Sequence, residues 1–285
     1  MTPTAPGTTG LPAPVVRALR CSVCSEELRP EHRSLRCPRG HAFDLAKQGY
    51  VNLLHAKVPA GTADTADMVA ARVAFLAAGH YAPVAERVAE QAARLTRSGL
   101  IVDAGAGTGY YLARVLDRLP AATGLALDVS ALALRRAARA HERLGAAVWN
   151  LWRPWPVADG TASVVLNVFA PRNGPEFHRV LRPGGGLVVV SPQAGHLREL
   201  ASVVDLLEVD DRKQERIEAT LGGYFELVAR EPYTRTLTLT PDEVRQVVGM
   251  GPNAHHPERL TRLDRLDEPR EATLSVAITT YRRVP

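Results

Sequence analysis

The stretch Leu100-Ile-Val-Asp103-Ala-Gly105-Ala-Gly107-Thr-Gly109 leaves this chain few folds to choose from. An apolar, strand-prone run ends in an acidic residue. Glycines follow at every second position, and a helix-prone stretch, Tyr110–Leu119, comes next. Glycine lets a backbone approach a ligand closely, and a helix start offers N–H groups with no partner of their own. Further short apolar runs at Leu125–Leu127, Val164–Val168 and Leu187–Val190 alternate with helical stretches. That alternation predicts a parallel α/β sheet. Alone, the turn fits NAD, FAD or S-adenosylmethionine. Two details favour S-adenosylmethionine. Asp103 precedes the glycines, where it can meet the cationic end of a methionine moiety, and the spacing is GxGxG, not the dinucleotide GxGxxG. Asp128 ends the next strand and is placed to accept hydrogen bonds from ribose hydroxyls of either cofactor type.

The three cysteines share one segment, Cys21-x2-Cys24-x12-Cys37-x3-His41. The first pair puts two thiolates on one side of a tight turn; Cys37-Pro-Arg-Gly-His41 adds a thiolate and an imidazole. Four such ligands suit one tetrahedral zinc, and a site with no open position is structural. Gly40 fits a turn that needs an unusual backbone angle. So short a segment has little core, so the metal is needed to fold it.

The 285 residues suggest about two folding units. Residues 1–14, rich in Pro, Thr and Gly, read as a disordered tail. Residues 15–57 form the zinc module, 58–98 a helical linker broken near Gly79–Pro83, and 99–285 the α/β domain. After Pro192 the pattern predicts a long polar helix to about Leu221. Strands at Phe225–Arg230 and Thr234–Thr240, a helix over 241–249 and a last strand at Ala272–Tyr281 follow. Residues 1–60 hold 8 Lys and Arg against 4 Asp and Glu, the remainder 27 against 26. A basic module on a near-neutral body points to an anionic partner. No apolar run reaches the roughly 18 residues of a membrane span. No basic segment precedes an apolar core at the N-terminus, and three cysteines make no disulfide scaffold, so the expected location is cytoplasmic. Trp149, Trp152 and Trp155 are read as packing residues, with a rim of the cofactor pocket as the alternative, and Arg135, Arg139 and Arg143 as one solvated helix face. His255 and His256 receive no role.

Leu181-Arg-Pro-Gly184-Gly185-Gly186-Leu-Val-Val-Val-Ser-Pro192 resembles the turn and strand of class I methyltransferases. The expected fold is therefore α/β, a class I Rossmann-like S-adenosylmethionine-dependent methyltransferase with a small N-terminal zinc-ribbon-like domain. Asn167-Val-Phe-Ala-Pro171-Arg172 follows the fourth strand; a short Asn…Pro loop there can hold a planar base by amide hydrogen bonding and apolar contact. His41-Ala-Phe-Asp44-Leu-Ala-Lys47-Gln-Gly49-Tyr50-Val-Asn52, Asp64-Thr-Ala-Asp67-Met68, Ala71-Arg72, Phe75-Leu76, Gly79-His80-Tyr81-x-Pro83 and Met250-Gly-Pro252 extend the match. Together they resemble the RlmA-type 23S rRNA (guanine-N1)-methyltransferases, and the Asn-Val-Phe-Ala-Pro-Arg form resembles their tylosin and mycinamicin resistance branch.

That resemblance implies methyl transfer from S-adenosylmethionine to N1 of one guanine in a 23S rRNA hairpin loop lining the peptide exit tunnel, blocking macrolide binding. Asp103, Gly105, Gly107, Gly109, Asp128, Asn150 and Tyr81 would hold the cofactor. Asn150 stands where class I enzymes often carry an Asp against the adenine amino group. Asn167 and Pro171 would hold the base. His80, Asp64 and Asp67 lie in the family segment that would take the proton, and the sequence does not choose among them. Arg17, Arg20, Arg33, Arg36 and Arg39 would grip the hairpin. The expected partners are that hairpin and a second copy of the chain, with no membrane. The competing expectations are a small-molecule methyltransferase braced by zinc, and a non-enzymatic RNA-binding protein.

Overall fold

The computed structural model describes residues 10–54, 63–202, 220–251, 254 and 263–285. Its main sheet is built from β4 (Tyr50–Asn52), β5 (Ser98–Ala104), β6 (Ala121–Asp128), β7 (Leu144–Val148), β8 (Ala162–Val168), β9 (Leu181–Pro192), β10 (Phe225–Leu239) and β11 (Arg270–Arg283). The order across the sheet is β10-β11-β9-β8-β5-β6-β7-β4. Strands β4 to β9 run parallel, β11 runs antiparallel to β9, and β10 runs antiparallel to β11. Every residue of β7 and β8 is buried, because helices cover both faces of a parallel sheet and leave no strand side for water. The order reverses between β5 and β8, so the ligand crevice opens at their carboxyl ends.

The helices are α1 (Ala13–Ala18), α2 (Ala66–Ala77), α3 (Ala82–Leu95), α4 (Tyr110–Arg118), α5 (Ala131–Ala137), α6 (Gly174–Val180) and α7 (Pro241–Gly249). The break between α2 and α3 falls at Gly79, whose φ of +84° a residue with a side chain rarely adopts. Neither helix is a linker: α3 buries Val84, Ala85, Val88 and Ala89 against α4 and β9, and α2 packs on α7. Among the described residues no single helix is long and apolar enough to cross a membrane.

The N-terminal boundaries differ from expectation. Leu11 to Pro14 are not tail: Leu11, Val15 and Val16 are buried. A side chain on Gly145 would lie 2.9 Å from Val15 and 3.2 Å from Leu11, so the bare glycine of β7 makes room for them. A fully buried Val or Leu contributes about 1.5–3 kcal/mol, enough to pin a one-and-a-half-turn helix. Residues 1–9 lie outside the described part. The zinc module carries its own antiparallel sheet, β1 (Arg29–Glu31), β2 (Ser34–Arg36) and β3 (Ala42–Asp44). Its last strand, β4, nevertheless pairs with β7 and forms the edge of the main sheet. Leu19, Leu35, Phe43 and Val51 share one core with Val102, Leu125 and Trp155.

The two C-terminal strands merge into β10, bulged between Leu227 and Ala229. Pro232 does not interrupt it, because β10 is the outermost strand and the missing N–H faces no neighbour. Of the polar helix expected after Pro192, a 3-10 turn at Arg198–Ser202 and the helical residues 220–221 are described; residues 203–219, like His255 and His256, lie outside the described residues. The arginine face also differs. Helix α5 ends at Ala137, and Arg143 donates to the carbonyls of Leu116, Leu119 and Ala122, closing the C-terminal end of α4. Trp149 and Trp155 are core, whereas Trp152 is 66% exposed.

Candidate active site and zinc centre

The glycine turn is folded by its own backbone. Gly105 and Ala106 both donate to the Leu127 carbonyl, drawing the turn across the end of β6. The three glycines have φ of +85°, +53° and +78°, a region that penalises side chains. A Cβ on Gly105 would collide with the Ala170 side chain, and one on Gly109 would lie 3.0 Å from Ala137. Asp128 accepts from Gly107 N–H and Ser130 N–H, each at 2.8 Å, which aims its carboxylate across the turn. Asp103, 1% exposed, has its pKa pushed up to about 8 by burial and then by the Asp128 charge. Burial raises Asp128 as well, against the two N–H groups that lower it.

Four buried side-chain atoms lack a partner among the described residues: Asp103 Oδ1, Trp149 Nε1, Asn167 Oδ1 and Arg172 Nε. Such atoms are rare in folded proteins. All four lie at or just beyond the carboxyl ends of β5, β7 and β8. An unpaired carboxylate oxygen beside a turn of bare backbone fits a ligand that is cationic at one end and carries hydroxyls to share with Asp128. S-adenosylmethionine has both. Asn150 follows β7, but its Oδ1 already accepts from Trp152 N–H at 3.0 Å, so the adenine contact expected of it has only its second lone pair.

Asn167 is fully buried and donates from Nδ2 to Ala104 O at 3.2 Å and Pro171 O at 2.9 Å. These bonds tie the 167–171 loop to the end of β5. His80 and Tyr81 part company. His80 Nε2 meets Glu243 Oε1 at 2.8 Å, joining the α2–α3 corner to the capping box that starts α7. Tyr81 is buried, and burial alone holds its hydroxyl well above the ordinary range. Its ring lies against Phe75 and 6.0 Å from Phe169. Asp67 is exposed in the first turn of α2, and Asp64 pairs with Arg72.

Arg72 was legible as a motif residue but not as a site residue. Its guanidinium binds Asp64 and the Met250 carbonyl and passes 3.3 Å from where a Gly107 side chain would stand. It reaches the glycine turn because α2 folds back over the crevice, which no local pattern announces.

In the zinc module, Cys21 Sγ and Cys37 Sγ lie 3.5 and 3.3 Å from His41 Nδ1, and Cys24 Sγ lies 3.7 Å from Cys37 Sγ. All four ligand atoms fall within 4.8 Å of one another. Ligands held tetrahedrally at about 2.0–2.3 Å from one zinc are about 3.5–3.8 Å apart, so the cluster is a zinc site and the imidazole binds through Nδ1. Gly40 has the expected positive φ, +87°. Of the basic residues, Arg33, Arg36 and Arg39 are exposed, the last two in surface pairs with Glu31 and Glu26. Arg17 does not join them. It lies beside Gly99, Ala121 and Thr161 at the amino ends of the strands, away from the crevice, because α1 packs under the sheet.

Residues 19–58 match the family described as RlmA, N-terminal, and residues 101–185 the methyltransferase domain family. The chain is 50% identical to the 23S rRNA (guanine(748)-N(1))-methyltransferase of Streptomyces fradiae, over 95% of this chain and 99% of that one. The chain belongs to the RlmA-type 23S rRNA (guanine-N1)-methyltransferase family. A second member, from Micromonospora griseorubida, is 51% identical over 93% of this chain and 97% of its own. Among solved structures, the MccD protein superposes with a TM-score of 0.50 at 17% identity, over 71% of this chain and 98% of that one, which shows the shared α/β fold. As an RlmA-type protein the chain combines an S-adenosylmethionine-dependent class I methyltransferase domain with a structural zinc at Cys21, Cys24, Cys37 and His41.

Proposed function

We propose that this protein methylates N1 of one guanine in 23S rRNA, the counterpart of guanine 748 in the Streptomyces fradiae enzyme's name. The guanine sits in a hairpin loop lining the peptide exit tunnel, and its methylation blocks macrolides. The observation that carries this reading is the full-length match, zinc ribbon included. Bound S-adenosylmethionine supplies an electrophilic methyl group. The chain's residues hold and aim. Asp103 takes the ammonium end, Asp128 the ribose, and the glycine turn leaves room for both.

Guanine N1 carries a proton and is a poor nucleophile until it leaves. Transfer therefore gains most from fixing N1 at near-attack distance, with the loop base splayed out of its stack. Asn167, locked by Ala104 O and Pro171 O, presents an amide oxygen without a partner among the described residues, and the Watson–Crick edge of guanine presents N–H donors. Of the proton-accepting candidates, Asp64 is engaged by Arg72 and Asp67 faces solvent. In this reading His80 is the acceptor, with Nε2 held by Glu243 Oε1 and Nδ1 as the ring nitrogen that takes the proton. Arg33, Arg36 and Arg39 hold the RNA backbone.

The test offers methyl-labelled cofactor together with protein-free 23S rRNA or with a metabolite extract. Label is expected in the rRNA, with reverse transcriptase stopping at one guanine. Label in metabolites alone contradicts the reading.

A further inference from the structure

We propose that Phe169 is the face on which the target guanine stacks, an inference that rests on the rRNA-methyltransferase reading above. Phe169 has φ of +53°, a conformation that glycine and asparagine adopt far more readily than an aromatic residue. The left-handed backbone, which drops Ala170 onto the bare Gly105, does not itself require a ring. Strain of this kind gathers where a side chain is needed for binding. The ring is 39% exposed, just past the carboxyl end of β8 and two residues from Asn167.

Its surroundings hold it still. His196 lies nearly parallel to it, at 18° and 6.2 Å between ring centres, with Tyr81 at 6.0 Å and Tyr111 at 6.4 Å. His196 is fixed in turn: Nδ1 accepts from Ser275 N–H at 3.2 Å, and Nε2 meets the Tyr81 hydroxyl at 3.4 Å. Both ring nitrogens are committed, so His196 acts as a support for Phe169. The ligand this platform takes is a planar purine extruded from an RNA loop, since extruded bases are held by stacking on aromatic side chains together with hydrogen bonds to their Watson–Crick edge. A base on Phe169 would bring that edge toward the Asn167 amide and its N1 toward the glycine turn.

The experiment compares Phe169→Leu, Phe169→Tyr and Phe169→Asn with wild type on protein-free 23S rRNA. S-adenosylmethionine affinity is measured by calorimetry and stability by thermal melting. Phe169→Leu is expected to lower kcat/KM about 10- to 100-fold, the range for a lost base–aromatic stack, while cofactor affinity stays within about twofold. Phe169→Tyr restores most of the rate. Phe169→Asn is as slow as Phe169→Leu yet melts no lower than wild type, because its backbone suits φ of +53° better. Phe169→Leu at the wild-type rate, or a Phe169→Asn that melts well below wild type, overturns the platform and makes Phe169 a packing residue. A wild-type protein that labels no rRNA overturns the parent reading and this one with it; an unimpaired Phe169→Leu overturns this one alone.

Discussion

Asp103 loses its proton near 3.8 in an unfolded chain and near 8 in the fold, because burial and then Asp128 oppose its charge. Between those values the folded protein keeps a proton that the unfolded chain has released, so stability falls as pH rises through that window. Asp103→Asn removes this slope. We expect the variant to melt higher than wild type at pH 8 and to bind S-adenosylmethionine at least about tenfold more weakly, having lost a charge-assisted bond. In wild type, cofactor affinity should rise with pH up to about 8, as the carboxylate that meets the ammonium forms. Melts and calorimetry across pH check both; an unaltered affinity in Asp103→Asn refutes the assignment. The glycines give a matched pair. Gly105→Ala and Gly184→Ala both place a side chain at positive φ, each costing about 1–2 kcal/mol. Only Gly105→Ala drives a Cβ against Ala170, whereas Gly184 faces open space. Calorimetry should find cofactor binding abolished in the first and unchanged in the second. The acidic and glycine positions were legible in the sequence because spacing alone defines them. Arg72 and Phe169 were not: one depends on a helix folding back from far along the chain, the other on a backbone angle that a phenylalanine does not advertise.

The zinc ribbon is joined to the sheet rather than hung from it. Strand β4 pairs with β7, Ser22 donates to the Leu53 carbonyl at 2.6 Å, and Leu19 bridges to Val157. Its core is continuous with that of the methyltransferase sheet. Metal analysis should therefore find one zinc per chain. Cys24→Ala should lower the melting temperature by at least about 5 °C in a single transition, since losing a structural metal removes folding free energy outright. A separate low-temperature transition would mean an independently folding module. The basic surface of the ribbon makes a different demand. Arg36 and Arg39 are in exposed ion pairs worth little, so both remain available to phosphate. Replacing Arg33, Arg36 and Arg39 by alanine should flatten the salt dependence of RNA binding by about 0.7–0.9 for each phosphate no longer held; an unchanged slope places the RNA elsewhere. The ligand quartet and the strand–helix alternation were visible in the sequence. The merging of modules was not, because three-residue β4 is too short to show a period and α1 is held by the emptiness of Gly145, a property of its partner.

At the scale of the whole molecule, one crevice collects what the sequence scatters: the glycine turn and acidic residues of β5 and β6, the 167–171 loop after β8 proposed to hold the base, and the aromatic cluster that Tyr81 joins from the α2–α3 corner. The basic excess stays in the first fifth of the chain, with Arg33, Arg36 and Arg39 exposed on the zinc ribbon at the β4 edge of the sheet. A substrate that fills both must be large and polyanionic at one end and present a planar base at the other. The most direct test is to map methylated positions in 23S rRNA from cells with and without this protein. A single N1-methylguanine at the counterpart of guanine 748, present only with the protein and accompanied by macrolide resistance, is the expected result. Identical rRNA modification maps in the two strains would contradict it.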